Sequence, residues 1–187
     1  MLIDAHIHLY PPSVYSDPRA WAKGRGESYW LSCVAPERGP TLQGWADVDQ
    51  LLRDMDNAGI EQAIILGWYW QNPDTCIENL KWQIDWIQNH PDRLLAYAAF
   101  NPNGGADSLD MLDRAFDAGL SGIGELNPPA QGYACENDTL DKALELAAKC
   151  GKAVNFHVTD PTTHDYPGKT ETPFESLFSM AQRHPNT

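Results

Sequence analysis

His6 and His8 bracket a single isoleucine close to the start of the chain. In an extended strand, residues two apart share a side and stand roughly 7 Å apart, at ~3.3 Å of rise per residue. Imidazoles placed this way can converge on one divalent ion, of the kind zinc exemplifies with bonds of ~2.0–2.1 Å. Two later positions offer the same chemistry. Glu125 follows Gly122-Ile123-Gly124, whose glycines permit close backbone approach, and His157 follows Asn155-Phe156 with its ring on the Asn155 side. Together His6, His8, Glu125 and His157 make a donor set suited first to zinc, and also to manganese or iron. Each residue has a plainer alternative role: a chance pair, a solvated carboxylate, a satisfied core histidine. Their placement at the ends of successive apolar stretches favours the ligand reading. His90 and His184 stand before prolines where helical patterns end, and C-terminal capping accounts for both. His164 lies in the stretch after the His157 strand, either as an exposed loop residue or as a substrate contact.

The elements that must carry these groups can be read from periodicity. Leu2–His8 alternates, with Ile3, Ala5 and Ile7 on one side and Asp4, His6 and His8 on the other. Residues 9–44 show no clean period and hold Pro11, Pro12, Pro18, Pro36 and Pro40 among five aromatic residues. Such a long loop is expected to act as a lid or a packing cover at the mouth of the fold. Beyond it the pattern becomes regular. Val48, Leu51, Leu52 and Met55 mark a helix that stops at Gly59, and Gln62–Gly67 follows as a buried strand. Asn72-Pro73 opens the next helix, and Leu94–Phe100 is the third strand. Leu109, Leu112 and Phe116 mark a helix before the strand Leu120–Leu126. Leu140, Ala143, Leu144 and Ala147 mark another, before Ala153–Val158. Thr172-Pro173-Phe174-Glu175 reads as a capping box with proline at the first helical position.

Near-continuous apolar strands alternating with amphipathic helices imply a parallel sheet with right-handed crossovers. A doubly wound sheet would place a glycine-rich phosphate turn after its first strand. Here that turn is His-Ile-His-Leu-Tyr-Pro-Pro, and polar residues gather at strand ends, as they do on the catalytic face of a TIM barrel. The fold expected is therefore an α/β, (β/α)8 TIM-barrel type in one domain over 1–187. A full barrel takes ~250 residues, and only about five of the eight βα units are read here. The second helix ends Asn89-His90-Pro91 and runs into a strand, whereas Arg183-His184-Pro185 stands at the end of the sequence.

Composition narrows the function. The formal net charge of −13 excludes a phosphate-binding, nucleic-acid role, which needs clustered Lys and Arg. No stretch approaches the ~18 apolar residues of a membrane span, and the N-terminus lacks a signal-peptide pattern. Cys33, Cys76, Cys135 and Cys150 form no close pair and read as reduced thiols of a cytoplasmic protein. Asn137-Asp138-Thr139 matches a glycosylation sequon and is read as chance.

The segments IDAHIHLYPP, GIGELNPP and AVNFHVTDP resemble, in order, the first, fourth and fifth strand ends of the amidohydrolase superfamily, and most closely its amidohydrolase-2 group. The resemblance runs over nearly the whole chain. It implies a metal-dependent hydrolase that activates water to attack an amide, lactone or ester of a small molecule. A metal-dependent decarboxylase of an unsaturated carboxylate is the alternative, and an inert metal-binding fragment a third. It also implies that His6 and His8 bind the first metal and His157 is the strand-five ligand. Glu125 takes the strand-four position that bridges or completes a second metal in TatD-like relatives. Such enzymes use a strand-six histidine and a strand-eight aspartate as well, and the sequence reaches neither, so no general base can be named. The reading leaves a homo-oligomer or a missing C-terminal segment open, and expects the 187 residues alone to show no appreciable hydrolysis.

Overall fold

The computed structural model describes residues 1–37 and 44–187. Five strands follow the chain in order: β1 Ile3–Ile7, β2 Gln62–Leu66, β3 Leu94–Ala98, β4 Gly122–Leu126 and β5 Ala153–Phe156. Every neighbouring pair is parallel and the spatial order is β1-β2-β3-β4-β5. This is part of a (β/α) barrel, as the alternation of strands and helices requires. Helices α1 Pro12–Tyr15, α2 Pro18–Arg25, α3 Ser28–Val34 and α4 Val48–Ala58 lie between β1 and β2, and α5 Pro73–Asn89 between β2 and β3. Then come α6 Gly105–Asp117, the short α7 Pro128–Gln131, α8 Asp138–Cys150 and, after β5, α9 Phe174–Arg183. The apolar faces of these helices meet the sheet in one core that includes Ile65, Leu94, Leu112, Ile123, Leu126 and Leu140.

Two expectations change. The stretch 9–44 is not an irregular loop where it is described, because α1, α2 and α3 occupy much of it; Pro40 lies outside the described residues. None of the three exceeds eight residues, too short to show a period, and α2 is started locally by Asp17, which accepts the Ala20 N–H at 3.0 Å. The capping box at Thr172 does not form. Pro173 itself is the N-cap of α9, with no side-chain cap, and the Thr172 hydroxyl bonds to Thr159 instead. The sequon residue Asn137 caps α8 through the N–H groups of Thr139 and Leu140. All four cysteines are free, and no helix among the described residues is long and apolar enough to cross a membrane.

The helices α2 and α3 are clasped to the start of α5. Glu27, fully buried between them, accepts the backbone N–H groups of Gln71 and Asn72 at 2.9 and 3.0 Å. Beside it Arg25 makes a two-pronged ion pair with Glu78 at 2.7 and 2.8 Å, and Gln71 Oε1 accepts the Tyr29 N–H. Burial pushes the Glu27 carboxyl upward while its backbone donors pull it back. A second, aromatic core grows on this clasp, with Trp21, Trp30, Trp70 and Tyr10 in edge and tilted contacts at 5.2–6.0 Å. Removing a partner from buried donors costs about 1–3 kcal/mol. Glu27→Ala should lower the free energy of urea unfolding by that amount, and an unchanged midpoint would show that the clasp does not hold these helices.

Candidate metal centre

Three ligand atoms converge at the C-terminal ends of β1 and β4. His6 Nε2 and His8 Nε2 stand 3.2 Å apart, and Glu125 Oε2 lies 3.5 Å from the first and 3.3 Å from the second. Ligands ~2.05 Å from one ion at tetrahedral angles stand ~3.3 Å from each other. The three spacings therefore fit a common divalent cation. The hydrogen bonds around them point the same way. His8 Nδ1 lies 3.2 Å from the Leu66 carbonyl, which only accepts, so Nδ1 donates; a neutral ring then offers a lone pair at Nε2, and a protonated ring donates from Nε2 toward Glu125. Without a proton or a cation between them, lone pairs would face one another across ~3 Å, which is unfavourable in a partly dry site.

Local irregularity aims these groups. Between Asp4 and Ile7, β1 spends three residue steps against two in β2, and between Ile123 and Leu126, β4 spends three against two in β5. Each is a bulge, a device that turns a side chain out of the regular alternation. In β4 it lets Ile123 and Leu126 both enter the apolar core while Glu125 turns to the histidines. Gly124 makes this possible with φ 129, a left-handed conformation that side chains rarely adopt, and a Cβ there would fall 2.5 Å from the Asn155 carbonyl. The turn is anchored from β2. Gly67 donates its N–H to the Gly124 carbonyl at 2.8 Å and accepts the Glu125 N–H at 2.6 Å. A Cβ on Gly67 would lie 2.3 Å from the Ala99 nitrogen, so glycine is required for that approach.

His157 stands just past β5 and reaches the cluster through Glu125, its Nδ1 being 2.8 Å from Oε1. The structure thus brings all four candidates to one end of the sheet. The compact ligand-sized set, however, is His6, His8 and Glu125, with His157 against the carboxylate's other oxygen. His164 is exposed and makes ring contact only with Tyr166 among the described residues. His90 and His184 occupy helix C-caps, and His184 also bonds Asp141 at 2.8 Å, a role that capping alone did not foresee. Sequence reading passed over the wall of the site. Trp68 lies edge-on to His8 at 4.9 Å and stacks on Tyr69 at 4.4 Å, and Tyr69 is 5.2 Å from His157. The run Trp68-Tyr69-Trp70 directly after β2 was the available signal. An open cleft of about 580 Å³ has Thr159, Lys169, Thr170 and Phe174 in its lining, and Thr159 also reaches His157.

Burial draws the Glu125 carboxyl upward, but hydrogen bonds from His157 and His8 and the charges of those rings outweigh it and hold the group at about 2. Burial pushes His6 below the ordinary imidazole range against the pull of Glu125. A carboxyl depressed on folding adds stability above its ordinary value of 4.5, and that stability is lost as pH falls toward 2. The metal-free protein should accordingly lose stability between pH 4.5 and 2, more steeply than Glu125→Gln does. Parallel acid-unfolding curves for the two proteins would contradict the assignment.

The amidohydrolase family model matches residues 3–187. No curated protein sequence matches. Among solved structures, the chain is similar to 5-carboxyvanillate decarboxylase from Sphingomonas paucimobilis, with TM-score 0.71 and 15% identity, covering 99% of this chain and 65% of that one. It is similar to a 5-carboxyvanillate decarboxylase from Novosphingobium aromaticivorans with bound manganese, with TM-score 0.59 and 17% identity, covering 84% and 50%. A probable 2-pyrone-4,6-dicarboxylic acid hydrolase from Acinetobacter baumannii gives TM-score 0.53 and 16% identity, covering 84% and 49%. At these identities the likeness shows the fold, and the chain spans less than two thirds of each of these proteins.

Proposed function

The chain belongs to the amidohydrolase family, and from that premise we propose that it carries the metal-binding part of a metal-dependent enzyme acting on a small molecule. The observation that supports this reading is the spacing of His6, His8 and Glu125, whose ligand atoms lie 3.2–3.5 Å apart. Those three residues would hold one divalent cation, zinc or manganese, with His157 completing the set or orienting Glu125. Bound there, the cation would supply Lewis acidity, polarising a carbonyl or carboxylate and lowering the pKa of water.

The residues of the chain do the rest. Leu66 fixes the His8 ring with its nitrogen lone pair toward the site, and His157 keeps Glu125 from rotating away. The Trp68–Tyr69 stack forms an apolar wall that excludes water from one side and suits a flat, unsaturated substrate. Hydrolysis of an amide, lactone or ester is the main reading. Decarboxylation of an unsaturated carboxylate is the second, favoured by that aromatic wall and by the decarboxylases among the similar structures.

Zinc or manganese titration read by calorimetry and elemental analysis tests the metal reading. The protein should take up one ion per chain, and His6→Ala, His8→Ala and Glu125→Gln should each weaken uptake by roughly tenfold or more. Unchanged uptake in all three variants would sink the site. For the reaction, the metal-loaded protein is given lactones and hydroxybenzoates, and release of CO2 or uptake of labelled water oxygen separates the two chemistries.

A further inference from the structure

Trp68 and Tyr69, the rings that back the candidate metal centre, are only 7% and 4% exposed, whereas the side chains of His6 and His157 are 49% and 24% exposed. The loop between Thr159 and Thr172 touches the neighbours of Tyr69 on two sides. At its neck Thr159 Oγ1 lies 3.4 Å from His157 Nε2, and at its tip the Gly168 carbonyl accepts the Tyr29 hydroxyl. Tyr69 lies between these anchors, 5.2 Å from the His157 ring and 5.9 Å from the Tyr29 ring. The loop therefore runs across the aromatic wall, while the histidines stay open to solvent.

The loop is built to move as one piece. Thr172 Oγ1 closes the neck, accepting the Thr159 N–H at 2.7 Å and donating to the Thr159 carbonyl at 3.3 Å. Inside the loop, Asp160 accepts the Thr162 N–H and hydroxyl at 2.8 and 2.7 Å, and Lys169 Nζ donates to the Thr163 carbonyl. A compact loop with joined ends packs on its own side chains. Residues 161–165 are exposed, and the 580 Å³ cleft between Tyr166, Lys169 and Thr170 of the loop and Phe174 and Glu175 of α9 leaves room on that side. The tip is held by shape as well as by its hydrogen bond. Gly168 has φ 83, and a Cβ there would fall 2.2 Å from Cys33 Sγ. The receiving side is fixed, since the Tyr29 N–H donates to Gln71 Oε1 at 2.9 Å within the clasp. The Asn127 amide adds a second tie, to Thr170 at 3.2 Å. Such bonds between a hydroxyl or amide and an oxygen have small net strength against water, so the docked loop can open. We propose that this loop is a gate over the aromatic wall, latched where Gly168 sits against Tyr29 and Cys33. An ion reaches its ligands with the gate closed, and a flat substrate stacks on Tyr69 only when it opens. The proposal rests on the functional reading above in taking the wall as the substrate's side.

The experiment measures how strongly a soluble nitroxide relaxes the ring protons of Trp68 and Tyr69 in NMR spectra of the metal-free chain, with amide exchange of β3 and α8 as the control for folding. In the wild type both rings should be relaxed far less than the ring of Phe178, which is 66% exposed. Tyr29→Phe removes only the latch hydroxyl. It should speed amide exchange in 161–170 roughly fivefold, the change that one lost hydrogen bond of ordinary net strength gives, and should raise the relaxation of both wall rings. Gly168→Ala should raise it further, because a methyl group cannot enter the notch at Cys33. Zinc uptake, followed separately, should proceed at the same rate in all three proteins. Wall rings relaxed like Phe178 in the wild type overturn the proposal. So do a loop and wall unchanged by Tyr29→Phe, which decides alone if Gly168→Ala does not fold, or zinc that enters faster once the latch is loosened. Absence of zinc uptake by the wild type would instead overturn the metal reading, and the metal-free spectra would still decide the gate.

Discussion

Glu125 brings a negative charge into a pocket where it is 8% exposed and touches three imidazoles at 2.8–3.5 Å. Burying a carboxylate is unfavourable unless its oxygens are answered by donors or cations. Much of the C-terminal face of the sheet is arranged to meet that demand. Oε1 is answered by His157, whose own far side is turned to Thr159, and Oε2 faces the two nitrogens that open the chain. The backbone on either side of the carboxylate is tied to Gly67 across the end of β3, so the charge cannot leave by a small rotation of the strand. Taking the charge away would leave His6 and His8 with nitrogen atoms 3.2 Å apart and no oxygen to balance what lies between them.

The aromatic core on the other side works as a fixed wall. Its helices are too short to be stable alone, since isolated helices of fewer than ~12 residues are marginal in water. They persist because Glu27 and Arg25 bind them to α5 and because Trp21, Trp30 and Trp70 fill the space between. That wall places Trp68 and Tyr69 against His8 and His157, so the polar cluster is backed by large rigid rings. The clasp and the candidate site are thus joined through the residues that follow β2.

Much of this could be read from the chain. The parallel order of five strands follows from apolar runs alternating with amphipathic helices, and His6, His8, Glu125 and His157 were all singled out by their place at strand ends, where the structure brings them together. Other features were hidden for physical reasons. The helices between Pro12 and Val34 are shorter than the stretch over which a 3.6-residue period becomes visible. Glu27 drew no reading from the sequence, because nothing in its neighbours announces two backbone donors forty-odd positions away. The separation of His157 from the compact His6, His8 and Glu125 set depends on distances of tenths of an ångström. Strict alternation would even have set Ile123 and Glu125 side by side on one face, and only the register against β5 separates them.

The extra residue in β4 carries an evolutionary cost as well as a chemical use. Deleting a single position at Gly124 would restore an even ladder with β5 and return a more regular strand. The same deletion would remove the Gly124 turn and the carbonyl that Gly67 holds, and so disturb the position in which Glu125 faces His6 and His8. The regularity of the sheet and the position of the Glu125 carboxylate therefore make opposite demands at this one residue. In relatives without a carboxylate at this position the bulge has no use, and an even ladder is expected there.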